Sequence, residues 1–251
     1  MVKKLTSLLK NEIGWRLALK ASASTFALAL VHFSKSPLPG TVIFIVTSVL
    51  IYFISSPDQK LFRNSFILVG ILGFLGARFI DAPTPFILGL LFFGATIFFI
   101  LGLSTHFFKD RARIYGLLNT AIILGWFMFI FEANIFSELL HLLIPITFLV
   151  LFALSFEMVH VFGVAAGNRS AIFSASLALL GAEISFLLTF LPLGSVNAAA
   201  LGTLLFIIVR EGMTAYFSGV FSLNIALRQL AFFLLFIVLI FATSKWSFWA
   251  L

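Results

Sequence analysis

Glu and His recur three residues apart twice in this sequence, as ELLH (Glu138 to His141) and EMVH (Glu157 to His160). On a helix, positions i and i+3 share a face, and two such pairs joined by two further glutamates build the di-iron centre of ferritin-like bundles. Both pairs here fall in one apolar run, 19 residues apart, which at 1.5 Å per residue separates them by about 28 Å. They cannot share a metal cluster. Each reads as a polar pair near one end of a membrane-spanning helix, and no metal is assigned to either.

Glu183, in LGAEISFL, is the only ionisable side chain between Arg169 and Arg210. Twelve residues into an apolar run, it is placed near the bilayer midplane, where an ionised carboxylate costs several kcal/mol unless it is paired or protonated. On a helical wheel Ala171, Ser174, Ala175, Ala178, Ala182 and Ser185 form a ridge of small side chains suited to close helix packing. Phe173, Leu177, Leu180 and Ile184 lie opposite and are expected to face lipid. Glu183 falls between the two faces, beside Ser176.

Two readings follow for Glu183: a proton, cation or small-solute site in a cavity between helices, or a protonated acid donating one hydrogen bond to a neighbouring helix. A relay from the cytoplasm through His160 and Glu157 to Glu183 is the chemistry that the first reading invites. Asn119 adds a polar group inside another apolar run, where such residues serve mainly as interhelical hydrogen-bond donors.

The elements that position these groups are legible from composition. Of the 251 residues, 62% are hydrophobic and 10% charged, against about 45–50% and 25% in soluble domains. Runs near the 20 residues that span a bilayer occur at about Trp15–Ser34, Gly40–Ser55, Asn64–Ile80, Phe86–Ser104, Ile114–Phe131, His141–Phe162, Ala171–Leu191, Val196–Val209 and Gln229–Thr243. The fold class expected is an all-α polytopic transmembrane bundle of about nine spans, or eight if one of the two short segments, the second and the eighth, does not cross. Residues 15–251 form a single membrane domain preceded by a basic amphipathic segment, residues 1–14.

Positive charge concentrates on the cytoplasmic side of membrane proteins. With the N-terminus cytoplasmic, thirteen of the sixteen Lys and Arg residues fall inside, and only Lys35, Arg78 and Lys245 fall outside. The net charge of +7 is therefore an orientation signal rather than a nucleic-acid surface, since no continuous basic face accompanies it. The N-terminal segment reads as a basic flank orienting the first span rather than a cleaved signal, because SKSPLPG offers no small-x-small cleavage site. The stretch REGMTAYFSGVFSLNIALRQ, Arg210 to Gln229, is polar at both ends and is expected to be a cytoplasmic linker with a short surface helix. No internal repeat of the kind found in many secondary transporters is visible.

Several activities fail for want of residues. There is no HExxH, no aspartate inside any span, no Walker or dinucleotide loop and no deep lysine for a Schiff base. With no cysteine, thiolate metal sites and thiol chemistry are excluded together. No catalytic set and no cofactor are expected.

EANIF (Glu132 to Phe136), GAEISFLLTFLPLGSV (Gly181 to Val196) and LRQLAFFLLFIVLIFATSKW (Leu227 to Trp246) together resemble an uncharacterised family of small bacterial polytopic membrane proteins, a domain of unknown function. The matching features are Glu183 before the turn with Pro192, and the ending at Lys245 and Trp246. The resemblance covers residues 115 to 246 and implies a multi-pass protein of the bacterial inner membrane, with no activity attached. The expected function is a non-catalytic membrane subunit or scaffold that has the bilayer and a membrane-protein partner or a second copy as its neighbours. The alternative is a small-solute or proton-linked transporter, with Glu183, Glu157, His160 and Asn119 as the site.

Overall fold

The computed structural model describes residues 12–34, 37–53, 59–79, 83–133, 140–163, 167–191 and 193–243. Those residues form nine α-helices and one 3-10 turn, with no strand among them. The helices are α1 (Glu12–Phe33), α2 (Pro37–Phe53), α3 (Arg63–Phe79), α4 (Pro83–Ser104), α5 (Arg111–Ala133), α6 (Leu140–Phe162), α7 (Asn168–Leu188), α8 (Ser195–Phe217) and α9 (Leu223–Thr243). Each of the nine apolar runs corresponds to one of them. About nine spans are expected from the sequence, but among the described residues only five helices contain stretches long and apolar enough to cross a membrane: Phe86–Ser104, Arg111–Glu132, Leu142–Phe162, Asn168–Leu188 and Ser195–Phe217. Most of the N-terminal basic segment lies outside the described residues.

The eighth segment and the linker expected after it need correction. Helix α8 does not stop at Val209 but runs to Phe217, 23 residues in all, so the start of the expected linker is the last two turns of a membrane-length helix. Arg210 does not break it, because the guanidinium is buried against another helix and finds an acceptor there. The helix ends where the chain supplies a true breaker: Gly219 takes φ +69°, a left-handed conformation that costs glycine little. Leu223 then opens α9, which leaves only Ser218–Ser222 as a connection.

The chain divides into two compact units, Met1–Leu118 and Asn119–Leu251. In the first, α1 packs against α2, α3 and α4, and α3 against α4. Small residues set these distances. A Cβ added at Gly94 would lie 2.6 Å from Thr25 Oγ1, and one at Gly73 would lie 2.6 Å from the Phe93 ring. Near one end of this unit His32 Nδ1 lies 2.9 Å from the Ala77 carbonyl oxygen, and its ring stacks on Phe86 at 3.7 Å. The carbonyl can only accept, so Nδ1 carries the proton. In the second unit α6 packs along α7, α7 against α8, and α8 against α9.

Candidate functional site

Helix α7 is gripped from two sides. A Cβ at Gly181 would lie 2.5 Å from Leu151 Cδ1 of α6 and 2.7 Å from Phe206 Cδ2 of α8, so three helices meet at a position that only glycine fits. Packing from two directions buries a broad arc: Ser170, Phe173, Ser174, Leu177, Ala178, Gly181, Ala182, Ser185 and Leu188. Of the small ridge read from the sequence, Ser174, Ala178, Ala182 and Ser185 are buried along one side of this arc, whereas Ala175 is half-buried and Ala171 exposed. The other side of the arc differs from expectation. Phe173 and Leu177, expected to face lipid, are each 0% exposed, because α8 covers the flank that a single packing partner would have left open.

Glu183 lies on the other side of this helix. At 100° per residue it stands about 180° from the middle of the buried arc, and it is exposed. Exposed Ile172, Leu179, Leu180, Phe186 and Leu187 surround it. The carboxylate makes no hydrogen bond or ion pair with any described residue. As the sixteenth of the 21 residues of α7, it sits about 7.5 Å from the helix centre and as far from its end, rather than at the midplane. The helix starts three residues before the apolar run, at Asn168, and ends three residues before the run does, at Leu188, which moves its centre.

A second polar feature lies inside the same unit. Arg210 NH1 donates to Asn119 Oδ1 at 3.1 Å, joining α8 to α5, with Arg210 8% and Asn119 1% exposed. Eight residues along each helix from that bond, a Cβ at Gly202 would lie 3.3 Å from Phe127 Cδ2. The equal spacing is the register of two antiparallel helices. Glu157 on α6 is also buried, at 4% exposed. It lies six residues from Leu151, and Arg210 four residues from Phe206, in the same direction from the Gly181 junction, so their levels along the bundle agree to within about 3 Å. Acid, base and amide thus occupy one buried layer.

Four hydroxyls on α7 and α8 are turned back onto their own helices. Ser170 bonds the Gly167 carbonyl, Ser174 that of Ser170, Thr203 that of Ala199 and Thr214 that of Arg210, at 2.7 to 2.8 Å. Each oxygen keeps lone pairs for accepting.

The residues proposed from sequence are therefore separated. Asn119 and Glu157 share the buried layer, whereas His160 is exposed and its Nδ1 lies 2.7 Å from the Phe156 carbonyl oxygen. Glu183 lies about 12 Å along the bundle from Glu157 and on the far side of α7, so His160, Glu157 and Glu183 are not in relay contact. In the other Glu-x-x-His pair, Glu138 and the His141 side chain lie outside the described residues. Among the described residues no group of three His, Asp or Glu side chains could hold a metal. Arg210 is the residue that sequence reading missed. The available signal was the absence of any turn sequence from Val196 until Ser218–Gly219, which places Arg210 within a helix.

The first unit carries a groove of about 490 Å³ between α1 and α4, from Ala18 to Ala29 on one side and Leu90 to Phe98 on the other. Its lining contains no ionisable side chain. Compared with known proteins, the chain matches no family model, no curated protein and no solved structure.

Proposed function

We propose that this chain is a non-catalytic integral membrane subunit that holds a protein partner within the bilayer through the outward face of α7. The observation that carries the reading is Glu183, an ionisable group turned away from its own bundle into an apolar surface. Intramembrane carboxylates that serve a solute path face the interior of the bundle or a water-filled cavity; this one faces out. The basic residues favour a cytoplasmic N-terminus with all nine helices in the bilayer, and the family resemblance favours the bacterial inner membrane.

The test is the mass of the particle recovered when native membranes are excised directly into lipid-polymer discs, without detergent. The proposal expects a particle heavier than one chain and its lipids for the wild type, and loss of the extra mass for Glu183→Leu. A single chain in both samples refutes it.

A proton- or solute-linked transporter is the second reading, favoured by the buried layer of Asn119, Glu157 and Arg210. It predicts flux in proteoliposomes that Glu157→Gln abolishes and Glu183→Leu does not.

A further inference from the structure

We infer that the partner at the outward face of α7 is a single transmembrane helix of another chain, bearing an Arg or Lys at the depth of Glu183; this rests on the subunit reading above. Depth is the first argument. Glu183 lies five residues inside the end of α7, and the chain beyond that end continues with exposed Phe190 and Leu191. A glutamate has two methylenes, too short a stem to carry its charge to the interface as Lys and Arg do.

Spacing is the second. Ile172, Leu179 and Phe186 recur every seven residues along α7, and Ser176 and Glu183 stand seven apart in the row beside them. Two interleaved sevenfold rows make the seam by which one helix packs along another at a shallow left-handed crossing. Ser176, the small member of its row, leaves room for a bulky side chain two turns from the carboxylate.

Chemistry selects the occupant. Acyl chains would leave the carboxylate without a partner in a medium of low dielectric. A second copy packed α7 to α7 about a two-fold axis would set two carboxylates against each other, so that both could not ionise. A helix carrying a guanidinium or ammonium group at the same depth forms a charge-assisted hydrogen bond. It also relieves two buried charges with one contact, since a lone cation at that depth is as unfavourable as the lone acid.

The test uses the full chain, whose lack of cysteine lets Leu191→Cys carry a single donor dye beside the end of α7. The probe is a polyleucine transmembrane peptide of about 21 residues, acceptor-labelled, with one Arg five residues from its centre toward the same membrane face, reconstituted with the protein in neutral phosphatidylcholine vesicles. The all-leucine peptide and the peptide with Glu at the same position are the comparisons. Energy transfer should report binding about tenfold tighter for the Arg peptide than for the all-leucine one, with the Glu peptide weakest. That preference should vanish in both Glu183→Gln and Glu183→Leu.

Equal binding of the three peptides, or a preference for Arg that survives in Glu183→Leu, overturns the inference. Tightest binding by the Glu peptide overturns it too, and points instead to a proton shared between carboxyls and a second copy as the neighbour. The two readings fail separately. Indifferent peptides with a heavy native particle leave the subunit reading standing with a different contact, whereas a single-chain native particle removes the subunit reading itself.

Discussion

Gly181→Ala should destabilise the second unit by up to about 2 kcal/mol, a figure that follows from the three-helix junction. The added carbon would lie 2.5 Å from Leu151 Cδ1 and 2.7 and 2.8 Å from two atoms of the Phe206 ring, about 1 Å inside ordinary contact. Leu151 and Phe206 are themselves buried, so neither can move aside without displacing a further neighbour. Overpacking of this kind costs about 1–3 kcal/mol, offset by up to about 1 kcal/mol because alanine favours the helix over glycine.

Gly70 supplies the reference, since a Cβ there meets nothing within 4 Å. Gly70→Ala carries the same helix gain with no clash and should be neutral to about 1 kcal/mol stabilising. The two variants should therefore differ by about 1–3 kcal/mol, a comparison from which helix propensity cancels. Reversible unfolding in bilayer discs, followed by steric trapping, measures the difference. Phe206→Leu should cost less in the Gly181→Ala background than in the wild type, because it vacates the space that the new methyl needs. Gly181→Ala as stable as Gly70→Ala would refute the junction and the register derived from it.

Other substitutions test the remaining contacts. Asn119→Leu takes an acceptor from a buried guanidinium and should cost about 1.5–3 kcal/mol, with Asn119→Leu/Arg210→Met less destabilised than the sum of the single variants in a double-mutant cycle. Gly94→Val should loosen α1 from α4 against Thr25 and lower stability by about 1–3 kcal/mol, read by the same unfolding assay. Glu183→Gln should leave the stability of the isolated protein within about 0.5 kcal/mol, because the side chain faces lipid both in the bundle and when the helices separate within the bilayer. A loss above about 1 kcal/mol would mean that the carboxylate is an internal hydrogen-bonding partner.

Apolar run length made the helices legible, and each of the nine runs seen in the sequence is a helix. Two features were not legible, for different physical reasons. Arg210 was read as the edge of a loop because a charge inside a span is costly, yet that cost depends on partners 91 residues away, and Asn119 supplies one. The wheel of α7 was read for one packing neighbour, where two are present. Phe173 and Leu177 therefore changed sides, and the exposed strip of α7 is centred on Glu183 rather than on them. Periodicity along a helix reveals that two faces differ, but not how many neighbours share the buried one. The buried layer of Asn119, Glu157 and Arg210 depends on the register of separate helices, which packing sets and local sequence does not encode.

The account turns on what touches the outward face of α7 in the native membrane. A photo-activatable amino acid placed at Leu187, 63% exposed beside Glu183, answers this when compared with one at Leu149, 62% exposed on α6. Irradiation of native membranes is predicted to yield a discrete protein adduct from position 187 that Glu183→Leu abolishes, and mainly lipid adducts from position 149. Lipid adducts alone from both positions would contradict the account, because the carboxylate would then face the bilayer without a partner.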